Sequence, residues 1–197
     1  MRSSPLALTV LSLLHMRPLH PYGIQRLIKQ WGKDEVVNVS QRASLYRTID
    51  RLLGAGLIAV RETEKDQQYP ERTVYEVTDA GRQAHRAWLE EMLAEPRAEY
   101  PEFPAALSFV LMLTPKEAQT VLSRRAEKVR GSIATLDAAA DRSAPLALPR
   151  VTMLEDEYRR AVLAAELAWL DAVTHDLHSG ALAWDFDSLA ALAQAQD

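Results

Sequence analysis

Residues 40–58 hold the side chains of this chain best suited to chemistry on another molecule. Leu45, Ile49, Leu52 and Leu53 recur at helical spacing and form an apolar stripe. Off that stripe stand Arg42, Ser44, Tyr46, Arg47, Thr48 and Arg51, with Asp50 the one opposing charge. Guanidinium groups fork onto phosphate oxygens or guanine edges, and hydroxyls adapt as donors or acceptors. Gln41, just ahead, has the donor and acceptor an adenine edge requires. A short helix with this composition suits a DNA major groove. It also suits a plain solvated amphipathic helix, so the surrounding elements must decide.

No comparable pattern supports catalysis. The chain has no cysteine, nucleophile elbow, phosphate loop or zinc-protease histidine pair. Its Ser, His and Asp residues have no spacing that sets them in mutual reach. His175 and His178, with Asp171 and Asp176 nearby, are read as groups favoured by the partial negative charge of a helix C-terminus, not as metal ligands. The expectation is a protein that is not an enzyme and uses no cofactor and no metal.

The flanking segments supply a frame. Ser40 is placed to cap the helix, and Gly54 and Gly56 to end it. Two helices precede it: Pro5–Met16, with Leu6, Val10, Leu13 and Leu14 on one face, and Tyr22–Trp31, with Ile24, Leu27, Ile28 and Trp31 facing inward. Val36, Val37 and Val39 suggest a short extended piece between the second helix and the third. After it, Leu57–Thr63 and Thr73–Val77 alternate as strands around a charged turn at 64–72. Thr78-Asp79-Ala80-Gly81 then opens a helix reaching about Ala94. Three helices followed by a hairpin is the order of a winged helix-turn-helix, with the third helix in the groove and the hairpin tip as a wing. Lys65 and Arg72 would serve that wing, beside the acidic Glu64, Asp66 and Glu71. His20 and Tyr22, at the start of the second helix, are placed to touch the DNA backbone.

Charge divides the 197 residues unevenly. Residues 1–94 carry 13 Lys/Arg against 11 Asp/Glu, and residues 95–197 carry 10 against 16. Two domains with two tasks are therefore expected, 1–94 and 95–197. Met1-Arg2 followed by the apolar Leu6–Leu14 imitates a signal peptide. Pro5 and a Ser3 or Ser4 cap fit a helix start instead, and His15, Met16 and Arg17 replace the small residues of a cleavage site. No run reaches the roughly 18 apolar residues of a membrane span. With cysteine absent, a cytoplasmic protein without a membrane partner is expected.

Several short segments, taken together, resemble one family. His20-Pro21-Tyr22-Gly23-Ile24, Ser44-Leu45-Tyr46, Arg51-Leu52 with Gly56-Leu57-Ile58, and Tyr75 followed by Val77-Thr78-Asp79-Ala80-Gly81-Arg82 resemble the PadR family of bacterial transcriptional regulators. The resemblance runs from residue 5 to about 94. It implies a dimeric regulator that represses a nearby operon until a small molecule or other signal releases it. Two positions depart from the family pattern: Ala43 stands where Gly is usual, and Arg47 where Pro is usual. Arg47 is accordingly expected to add a DNA contact that relatives with proline lack.

Beyond a hinge rich in Pro and acid at 95–104, the pattern is all helical. Ala105–Leu113 reads as a short apolar helix. Thr114-Pro115-Lys116-Glu117 forms the start of a helix to about Ala140, with a capping box. Arg150–His178 carries two stripes. Val151, Leu154, Tyr158, Ala161, Ala165, Ala168 and Ala172 recur near heptad spacing, and Leu163, Leu167, Leu170 and Leu177 lie on a neighbouring face. A helix apolar over so wide an arc must be covered on two sides, once by its own domain and once by a second subunit. Residues 180–197, with Trp184, Phe186, Leu189 and Leu192, read as a short amphipathic helix packing back on the body or across the dimer.

The expected fold is thus mainly α, a winged helix-turn-helix followed by an all-α dimerisation domain. Trp88, Tyr100, Phe103, Tyr158, Trp169 and Trp184 concentrate aromatic area near the hinge and the second domain. They suggest a site for a small aromatic or cationic effector. The expected function is a homodimeric repressor on double-stranded operator DNA, released by that effector. A winged-helix dimer that binds protein instead of DNA is the alternative.

Overall fold

The computed structural model describes residues 3–37, 42–66 and 69–185. The chain divides into two compact units, Met1–Ala98 and Glu99–Asp197.

In the first unit, α1 spans Pro5–Met16. Ser4 accepts a hydrogen bond from the Ala7 N–H at 3.3 Å, and Pro5 sits in the first turn, where its missing N–H costs nothing. α2 spans Pro21–Gln30 and α3 spans Arg42–Gly54. Ala7, Val10, Leu11 and Leu14 of α1 meet Ile24, Leu27 and Ile28 of α2 and Leu45, Ile49 and Leu52 of α3 in one buried core. Trp31 does not join it. It caps α2 and stays 44% exposed, because the left-handed Gly32 (φ 65°) turns the chain just after it. A 3-10 turn spans Lys33–Glu35, and Val36 after it has right-handed helical angles (φ −116°, ψ −14°) where an extended piece was expected. Val37 is buried there, and Val39 lies outside the described residues.

Strands β1 (Ile58–Asp66) and β2 (Tyr69–Val77) pair antiparallel, with Ile58 opposite Val77 and Val60 opposite Tyr75. The strands reach further into the tip than alternation alone suggests. A register shift between Val60 and Glu62 sets Glu62 opposite Val74. Val60 lies past the core edge and is exposed. α4 (Asp79–Ala94) packs on α1, and Trp88 closes the core from that side.

In the second unit, α5 (Glu102–Leu107) is shorter than the expected helix, and a 3-10 turn at Val110–Met112 follows it. α6 (Pro115–Ser143) starts with the full capping box: Glu117 N–H donates to Thr114 Oγ1, and Thr114 N–H donates to Glu117 Oε2 at 2.8 Å. That carboxylate is held below its usual range by the Thr114 hydroxyl and N–H. α7 (Leu154–Ser179) runs antiparallel to α6. Gln119 donates to His178 Nδ1 at one end, and Arg160 grips Asp137 at the other. Arg125–Glu166 and Arg130–Asp171 cross between them. Between the helices Ala118, Leu122, Ala126 and Val129 bury against Leu170 and Leu177, flanked by Leu163 and Leu167. The other stripe of α7, including Leu154, Tyr158, Ala161, Ala165 and Ala172, is exposed.

Candidate nucleic-acid interface

α3 is held from behind by a stripe of four residues. Leu45, Thr48, Ile49 and Leu52 are all buried, at i, i+3, i+4 and i+7. Thr48 therefore belongs to the inward face, not to the reading face the sequence suggested. It is 7% exposed, and its hydroxyl donates to the Ser44 carbonyl one turn back at 2.9 Å. A threonine has the size of valine, so it completes an apolar stripe that residue type alone assigns to the polar side. The helix ends as Gly54 and Gly56 predict. Gly56 adopts φ 69°, its N–H bonds to Leu53 O, and Leu57 N–H bonds to Leu52 O, which closes the last turn.

Opposite that stripe the helix presents Ala43, Tyr46, Arg47, Asp50 and Arg51, all exposed, with Ser44 half-buried at the border. Arg47 lies back along α3, its Nε donating to Ala43 O at 3.2 Å and its Nη2 to Ser44 Oγ at 3.5 Å. Those are weak, solvent-facing bonds that a stronger anionic acceptor outcompetes. Neither Arg47 nor Arg51 has an ion pair among the described residues. Ser40 and Gln41 lie outside the described residues, as do the side chains of Arg42, Lys65 and Arg72.

The loop before α2 is tied to the wing. Leu19 and Tyr75 exchange both backbone hydrogen bonds, 3.0 and 2.9 Å, as an isolated bridge on the edge of β2. The Tyr75 phenol is pushed above the usual tyrosine range, first by burial and then by Asp50 and Tyr46 of α3. Tyr75 thus joins the loop to the wing while its side chain packs on the core, a role that its place in a strand pattern did not reveal. His20 caps α2, its Nδ1 accepting from the Gly23 N–H at 2.9 Å. With Nδ1 accepting, the neutral ring carries its proton on Nε2. The ring stacks on Tyr22, which is 61% exposed.

The aromatic residues proposed for an effector divide between the units. Trp88 packs on the core of the first. In the second, Phe103 meets Trp169 edge-on at 6.1 Å, and the Arg125 guanidinium lies 3.6 Å from the Phe103 ring centre. Arg125 is itself paired with Glu166. Trp184 packs against the same core and donates its indole N–H to Leu113 O at 2.9 Å. Tyr158 and Tyr100 are exposed.

Residues 10–87, covering the latter part of α1, all of α2 and α3, the wing and half of α4, match the model of the transcriptional regulator PadR-like family. Through these residues the first unit is similar to that family. Solved structures agree on the fold. Bacillus subtilis PadR in complex with operator DNA is 20% identical, with a TM-score of 0.73, covering 88% of this chain and 99% of that one. The same protein in complex with p-coumaric acid is 20% identical, with a TM-score of 0.71, over 88% of this chain and 98% of that one. The Vibrio cholerae virulence activator AphA is 20% identical, with a TM-score of 0.62, over 88% and 98%. No curated protein sequence matches the chain. Among the described residues no helix is long and apolar enough to cross a membrane.

Proposed function

We propose that this PadR-like regulator is a homodimeric repressor that reads operator DNA through α3 and is released by a small aromatic effector. One observation carries the DNA reading: Arg47 and Arg51 stand exposed, without carboxylate partners among the described residues, on the outward face of a helix whose opposite face is buried. Ser44, Tyr46 and Arg47 supply base and phosphate contacts from the first turns of α3, with Arg51 reaching phosphate. Ser40, Gln41 and Arg42 extend this set toward the helix start, and Lys65 and Arg72 serve the wing. His20 and Tyr22 flank the DNA backbone.

Bacillus subtilis PadR, solved with operator DNA, supports this use of the fold, and its complex with p-coumaric acid supports an aromatic effector. Phe103, Tyr158, Trp169 and Trp184, with Trp88, are the candidate effector residues. The exposed stripe of α7 supports a dimer, since two recognition helices must sit about 34–36 Å apart to read successive turns. An effector that binds one dimer geometry better than the other drains the DNA-competent state.

The test is titration of the purified protein onto the DNA upstream of its own gene, across salt concentrations, repeated with Arg47→Ala. Site-specific binding with a steep salt slope, weakened by about 1–3 kcal/mol and relaxed in specificity in the variant, is the expected result. Absence of binding even at low salt overturns the DNA reading and favours a protein-binding winged helix. A reporter on the bound site then gives the sign of regulation, which matters because AphA is named an activator.

A further inference from the structure

The outward face of α2 carries a cationic stripe that the reading above leaves unused. Gly23, Ile24, Leu27 and Ile28 are buried, which turns Tyr22, Arg26 and Lys29 to solvent at i, i+4 and i+7. α2 contains no acidic residue. From the geometry we infer that Arg26 and Lys29 form a clamp on the sugar-phosphate backbone, beside the groove that α3 enters. This rests on the DNA reading and extends it to two residues outside the α3 set.

Three observations converge on that clamp. First, eight cations of the first unit fall into two groups. Arg61, Arg82, Arg86 and Arg97 each sit on a carboxylate: Glu76, Asp79, Glu90 and Glu91 respectively. Arg26, Lys29, Arg47 and Arg51 have no ion pair among the described residues. The paired group lies on the wing, on α4 and just beyond it; the unpaired group lies on α2 and α3, with Arg17 in the loop before α2 likewise outside any ion pair among the described residues. Second, residues 17–54 carry seven Lys/Arg against three Asp/Glu, in a chain with 23 against 27. A basic island in an acidic protein concentrates attraction for a polyanion on one segment. Third, α2 packs directly on α3, and Leu19 just ahead of α2 pairs with Tyr75 of the wing.

In a helix-turn-helix the helix before the recognition helix crosses the backbone. Arg26 forks onto phosphate oxygens, and Lys29 one turn further offers a compact point charge. Such contacts set register and affinity but carry no base preference.

The test measures fluorescence anisotropy of labelled duplexes with the full-length protein across a salt series. Two duplexes are used, one of mixed sequence and one enriched from randomised DNA by the wild-type chain. Arg26→Gln/Lys29→Gln is compared with Arg86→Gln, a cation already occupied by Glu90. The double variant is expected to lose affinity by the same factor on both duplexes and keep its base preference. Its log–log salt slope should be shallower by about two per bound protomer. Arg86→Gln should match the wild type. A wild-type slope in the double variant, or an equal loss in Arg86→Gln, overturns the clamp and leaves α3 reading intact. Absence of DNA binding by the wild-type chain overturns the DNA reading, and the clamp with it.

Discussion

Gly81 lies so close to Leu57 that a Cβ on residue 81 would stand 1.9 Å from the Leu57 carbonyl oxygen and 2.8 Å from Val77 Cγ2. The same carbonyl accepts the Thr78 N–H at 3.1 Å, while the Thr78 hydroxyl donates to Gly56 O at 2.8 Å and accepts the Gly81 N–H at 3.0 Å. The start of α4 is therefore bolted to the turn that ends α3. Gly81→Ala must push backbone from backbone. It is expected to cost at least the roughly 1–3 kcal/mol of ordinary overpacking, read as a lower urea midpoint.

Thr48 gives a sharper test of which α3 residues face DNA. Its hydroxyl bonds only within its own helix, and the surrounding stripe is apolar. Thr48→Val keeps the volume and removes a bond of about 0.5–1.5 kcal/mol net. Stability should change by no more than that, and the preferred DNA sequence, selected from a randomised pool, should not change. A shifted base preference would return Thr48 to the reading face.

Element order was legible in the sequence because it rests on period and punctuation. Pro5, Pro21 and Pro115 mark three helix starts, Gly56 closes α3, and Leu45, Ile49 and Leu52 name its buried side. Features decided by long-range contact were not legible. Trp31 reads as core by spacing, yet the turn at Gly32 carries the chain away and leaves the ring outside. Thr48 reads as polar by type, yet its place in the stripe buries it. Arg26 and Lys29 stand out only once their lack of carboxylate partners is seen beside the pairing of Arg61, Arg82 and Arg86. The Phe103–Trp169–Arg125 cluster joins residues from three helices that no local pattern connects.

His85 of α4 makes stability pH-dependent. Its Nε2 lies 2.8 Å from Ser12 Oγ of α1, and the His15 ring of α1 is 5.6 Å away. The Ser12 proton goes to Leu8 O at 2.9 Å, so the imidazole is the donor toward Ser12. Burial pushes the His85 pKa below the usual histidine range, and His15 adds to the shift. The unfolded chain then binds this proton at a higher pH than the fold does, near 6.5. The stability tied to neutral His85 is complete above that pH and is lost as pH falls toward the folded value. Thermal midpoints should drop between about pH 7 and pH 5. His85→Gln, which keeps a donor for Ser12, should flatten that drop; an unchanged profile would assign the loss to other groups.

The exposed stripe of α7 makes the dimer testable without DNA. Leu154 is 48% and Tyr158 71% exposed, and Ala161, Ala165 and Ala172 continue the same face at spacings that let a second helix approach closely. The opposite stripe, through Leu163, Leu167, Leu170 and Leu177, is already spent on α6. A carboxylate placed on the outer stripe would be desolvated against its symmetry mate in a two-fold dimer, but would stay in water in a monomer. Leu154→Glu with Ala165→Glu should therefore shift the protein from dimer to monomer in light scattering while its helical circular dichroism persists. DNA affinity should fall with it, because a single winged helix engages one half-site alone. A double variant that remains dimeric would move the subunit contact away from this face of α7.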